Sequence, residues 1–79
     1  MPSSTRKLRI HNTRETPITI VLEPWASEYL LAPGATLDIV ERGGGSEDLL
    51  ELQCEDGHLV LYARAGTTLT AVQDGVELP

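Results

Sequence analysis

The chain contains no phenylalanine, one tryptophan and two tyrosines among 79 residues, so its core must be aliphatic, and stacking on aromatic rings is confined to very few places. Cys54 is the sole cysteine, which excludes an intrachain disulfide framework and a zinc knuckle built from paired thiolates. Basic residues are scarce as well. Six lysines and arginines against twelve acids leave a net charge of -6, which argues against nucleic acid as a partner. Hydrophobic stretches long enough for a signal-peptide core or a membrane span are missing, so no membrane association is expected and the cytoplasm is the default location. No helical periodicity is sustained anywhere.

What is present is alternation. Leu8-Arg9-Ile10-His11, Ile18-Thr19-Ile20-Val21-Leu22, Glu28-Tyr29-Leu30-Leu31-Ala32 and Thr36-Leu37-Asp38-Ile39-Val40-Glu41 each read as a strand with every second residue directed to a core. A strand from Leu49 follows, with Leu50, Leu52 and Cys54 inward and Cys54 acting as a small core hydrophobe. Leu59–Ala63 and Thr67–Val72 complete seven strands, and Val76-Glu77-Leu78 can add a last edge. Pro17 and Pro24 bound the second strand. Pro33-Gly34 carries the chemistry of a type II turn and so predicts a corner, whereas Asp56-Gly57 and Asp74-Gly75 predict hairpins.

Strand spacings near ten residues predict a single all-β domain over 1–79, a small antiparallel β-sandwich of about seven short strands, with a small closed barrel as the alternative. Residues 1–6 are expected to form a flexible N-terminal tail and 42–48 a mobile glycine-rich loop. That loop lacks the Lys-Ser/Thr of a phosphate cradle, and Glu47 and Asp48 would repel an anion. Four of the six basic residues, Arg6, Lys7, Arg9 and Arg14, fall in the first fourteen positions, where they read as a solvated strand face.

Chemistry-bearing residues are sparse. His11 and His58 stand in no recognisable nucleophile motif, so catalysis is not expected. Two histidines and Cys54 in a small sandwich raise a copper site as an alternative, but the sole methionine is Met1, and the Asp-Gly turn accounts for the Cys54-to-His58 spacing without a metal. No cofactor is expected. The richest stretch is Val21–Val40, where Glu23, Trp25, Glu28 and Tyr29 cluster around a turn. Trp25 either plugs the end of the aliphatic core or lies exposed as a contact for a ligand or a protein. The expectation is a non-catalytic interaction module that uses this surface for a protein partner or for self-association into a homo-oligomer. A small-molecule or carbohydrate binder at the same surface is the alternative.

Leu22-Glu23-Pro24-Trp25, Glu28-Tyr29 and Leu31-Ala32-Pro33-Gly34 together resemble the LEPW-x-x-EY-x-L-x-PG pattern of a group of small bacterial proteins, and Gly57–Tyr62 and Asp74-Gly75 extend the likeness. The resemblance implies a compact all-β domain in a bacterium and no particular activity. Ala26 departs from it at a place where glycine is the more usual residue.

Overall fold

The structure is a computed structural model and describes residues 5–43 and 49–79. Among these, eight strands form two four-stranded sheets: β1 (Thr5–His11), β2 (Ile18–Glu23), β3 (Ser27–Leu31), β4 (Thr36–Gly43), β5 (Glu51–Glu55), β6 (His58–Tyr62), β7 (Thr67–Gln73) and β8 (Val76–Glu77). One sheet has the order β1-β4-β7-β8 and the other β3-β2-β6-β5. They face each other without closing into a barrel, as expected for a small β-sandwich. The antiparallel expectation holds for every neighbouring pair except β2 and β6, which run parallel from Thr19 opposite His58 to Glu23 opposite Tyr62. Alternation cannot reveal that exception, because parallel and antiparallel strands share the same period of two.

The core is aliphatic. Ile10, Ile20, Leu22, Leu31, Leu37, Ile39, Leu61, Leu69 and Ala71 form one buried cluster between the sheets. Each fully buried Leu or Ile in it contributes about 1.5–3 kcal/mol of transfer free energy. Pairing is as the alternation requires: Ile10 opposes Leu37, and Ile39 opposes Ala71, so inward residues meet inward residues.

The Pro33-Gly34 corner lifts the chain from one sheet to the other. Ala35 N donates to Ala32 O at 3.1 Å, and Gly34 has φ 78, a conformation that costs a residue with a Cβ. Asn12 fastens this corner to the β1–β2 connection. Its Nδ2 donates to Thr16 O and Leu31 O at 2.9 and 3.0 Å, its Oδ1 accepts from Arg14 N at 2.9 Å, and its backbone bonds Ala35 O and Gly34 N. Only 2% of Asn12 is exposed, so one buried amide satisfies groups from both connections.

Several boundaries differ from the sequence reading. Thr5 and Arg6, expected in the tail, belong to β1, because Arg6 registers with Glu41 and Thr5 with Arg42. Arg42 and Gly43, expected in the mobile loop, extend β4 against β7. A Cβ on Gly43 would stand 2.8 Å from Gly66 O, and φ is +93, so this position requires glycine. Residues 1–4 of the expected tail and 44–48 of the expected loop lie outside the described residues. The strand expected from Leu49 starts at Glu51.

Cys54 is not a core residue. It occupies the inward register opposite Leu59, yet it is exposed, as is Leu52 at 49%. Edge position is the reason: among the described residues β5 has a strand neighbour, β6, on one side only. Leu8 on the edge strand β1 is left 38% exposed in the same way.

The inner face also holds a salt bridge. Glu41 follows Leu37 and Ile39 on the inward side of β4, and its carboxylate receives Arg64 Nε at 2.9 Å and Nη2 at 2.6 Å. Both side chains are 5% exposed. Arg6 adds a third bond at 3.0 Å from the solvent side. The guanidinium of Arg64 is the main reason the Glu41 carboxyl titrates below its usual range, a shift that burial opposes.

Candidate functional site

The loop between β2 and β3 spans three residues, Pro24-Trp25-Ala26, with Leu22 still registered against Ser27. Glu23-Pro24 is a cis peptide, and Ala26 adopts φ 58. Glu23 closes the loop on itself, since its Oε1 accepts from Ala26 N at 3.0 Å. A turn this short has no room to fold a large side chain beneath it. Trp25 therefore projects outward and is 46% exposed.

Trp25 stands over a shallow, open depression. It lines a groove of about 340 Å³ between β3 and the β7–β8 pair, together with Ser27, Tyr29, Thr68, Thr70 and Glu77. Tyr29 forms part of the floor. Its ring packs against the core, and its hydroxyl donates to Pro79 O at 3.0 Å. The groove exists because β8 is only two residues long, so among the described residues the Thr68–Thr70 stretch of β7 has no strand neighbour on that side.

Of the four residues singled out in the sequence, the fold brings Trp25 and Tyr29 together in the groove and separates the two acids from them. Glu28 registers with Val21, whose neighbours Ile20 and Leu22 are the inward residues of β2, so it points to the outer face and is exposed. Glu23 is occupied by its own turn. The carboxylate that does line the groove is Glu77, which the sequence reading did not select. Its only signal was the Asp74-Gly75 hairpin, which returns the chain beside Val72 and Gln73.

The histidines lie elsewhere. His58 Nδ1 is 3.0 Å from Asp56 O at the β5–β6 hairpin, and His11 ends β1. Among the described residues no group of three or more His, Cys, Asp or Glu side chains is placed to hold a metal ion. Two of the basic residues of β1 are engaged by β4: Arg9 forks onto Asp38 at 2.7 and 3.0 Å, and Arg6 meets Glu41. The Arg9 contact is the main reason that Asp38 titrates low and Arg9 high. No helix among the described residues is long and apolar enough to cross a membrane.

Chemically, the groove offers an aromatic face, the hydroxyls of Ser27, Thr68 and Thr70 beside that of Tyr29, and a carboxylate, which is equipment for recognition. Compared with known proteins, the chain matches no family model, no curated protein and no solved structure.

Proposed function

We propose that this protein is a non-catalytic binding module whose Trp25/Tyr29 groove takes a small hydroxylated ligand, with a saccharide unit as the matching chemistry. The observation that carries this reading is the half-exposed Trp25 ring at the mouth of a concave groove walled by Ser27, Thr68, Thr70 and Glu77. A sugar ring presents an apolar C–H face that an indole covers, and its hydroxyls need acceptors and donors at the rim. A protein interface at this place would instead call for a flat apolar patch. The groove is too shallow to bury both faces of a ligand, so affinity is modest, with dissociation constants on the order of 0.1–1 mM.

Titration of mono- and disaccharides against the fluorescence of the single Trp, with backbone amide NMR to map the response, tests the reading. Saturable shifts confined to Trp25, Ser27, Tyr29 and the Thr68–Thr70 stretch, and lost in Trp25→Ala, are expected. A panel of neutral and acidic sugars that leaves every one of those amides unmoved at ten times this concentration range would sink it.

A further inference from the structure

The flank opposite the Trp25 groove carries a different feature. There the edge strands of the two sheets, β1 and β5, lie across from each other, and each has a strand neighbour on one side only among the described residues. Between β1 and the Leu49-Leu50 segment that leads into β5 lies an apolar groove of about 250 Å³, in which Arg6, Lys7 and Leu8 meet Leu49 and Leu50 over Ile39 and Glu41 of β4. Leu8, Leu52 and Leu49 expose 38%, 49% and 88% of their surface along this flank. Unpaired strand edges beside exposed leucines are an association hazard unless something covers them.

Charge indicates what does. Strand β1 carries Arg6, Lys7 and Arg9 and no acid, while β5 carries Glu51 and Glu55 and no base. Arg6 and Arg9 already meet Glu41 and Asp38 of β4, so Lys7 is the cation of this edge that forms no ion pair among the described residues. Direction matters as well. Asn12, at the end of β1, bonds Leu31 O at the end of β3, so β1 and β3 run the same way. Strand β3 is antiparallel to β2, β2 is parallel to β6, and β6 is antiparallel to β5. It follows that β5 runs with β1.

We propose that two copies of this chain form a symmetric dimer in which β1 of each lies beside β5 of the other, with the two-fold axis along the strands. Because β1 and β5 edge the same flank, one rotation makes both pairings at once and closes the assembly. Outward residues then meet outward residues. Lys7 and Arg9 lie in the row of Glu51 and Glu55 of the second copy, and Leu8 joins Leu52 beneath them. Such parallel pairing already occurs within each copy between β2 and β6. The competing two-fold, perpendicular to the strands, would set β1 against β1 and β5 against β5, bringing Lys7 beside the Lys7 edge of the second copy and Glu51 and Glu55 beside their own counterparts, an arrangement that like charges disfavour. The dimer is independent of the proposed ligand groove, which stays open on the far side.

Sedimentation equilibrium from micromolar to millimolar protein, at low and high salt, tests the proposal. A monomer–dimer equilibrium that weakens with salt is expected. Lys7→Glu and Glu51→Lys are both surface changes, so circular dichroism should stay as in the parent. Each reverses two cross-copy pairs and should raise the dissociation constant roughly tenfold, and the double variant should recover most of that loss. Monomer at every concentration would overturn the proposal. So would a dimer indifferent to the swaps, one strengthened by a single swap, or one that shields Trp25 from a quencher.

Discussion

The Glu41–Arg64 pair is where a single substitution tells most about this fold. A pair with 5% exposure on both partners and two bonds at 2.9 and 2.6 Å has given up nearly all its hydration in exchange for mutual contact. Replacing one partner leaves the other charge desolvated, which typically costs about 3–5 kcal/mol. The two halves are not equivalent. Arg64→Met leaves Glu41 with Arg6, which bonds it at 3.0 Å from the solvent side, so the loss should fall near the lower figure, about 3 kcal/mol. Glu41→Leu takes two bonds from the Arg64 guanidinium and one from Arg6 and should cost about 3–5 kcal/mol. For a domain of 79 residues, whose total stability is roughly 4–12 kcal/mol, either loss is a large fraction. Arg64→Met should lower the melting temperature by about 12–24 °C. The paired change Glu41→Leu/Arg64→Met removes both charges and should lie within about 1 kcal/mol of the parent, because well-packed apolar replacements of buried ion pairs are often neutral. Urea unfolding followed by Trp25 fluorescence and by circular dichroism measures all three. The reasoning fails if Glu41→Leu costs less than about 1 kcal/mol, or if the double variant is as unstable as the sum of the singles.

Acid should act on the same pair. The Glu41 carboxyl titrates lower when folded than when unfolded, so its contribution is complete above the unfolded value and is lost as pH falls through the folded one. Urea midpoints measured from pH 7 downward should therefore fall more steeply in the parent than in Glu41→Leu/Arg64→Met. Asn12→Ala should cost about 2–3 kcal/mol, since it orphans Leu31 O, Thr16 O and Arg14 N where the two connections meet, and chemical denaturation would show it. Ala26→Gly should raise stability by about 0.5 kcal/mol, because relief of the left-handed conformation at φ 58 outweighs the extra freedom glycine has in the unfolded chain. A drop in melting temperature in Ala26→Gly would show that the loop depends on that methyl group.

Local chemistry in the chain determined the class of fold and most of its punctuation. Period-two alternation with no sustained helical repeat gives strands, the absence of Phe makes the core aliphatic, and Pro33-Gly34, Asp56-Gly57 and Asp74-Gly75 turn the chain where they were expected to. These are properties of a residue and its near neighbours, so they survive without knowledge of the partner strand. Which strands pair is a property of the whole. The parallel β2–β6 ladder and the edge positions of β1 and β5 depend on contacts across tens of residues, and from them follow the exposure of Cys54, Leu52 and Leu8. The candidate site divides along the same line. Trp25 and Tyr29 were legible as a cluster because they are near in sequence, and the turn that exposes Trp25 is local. Glu28 left the cluster because alternation on β3 sends it to the other face, and Glu77 joined because a hairpin some fifty residues away brings it there. Glu41 and Arg64 were silent for the same reason. A charged residue in alternating register reads as surface until the fold sets its counter-charge 2.6 Å away in a place water does not reach.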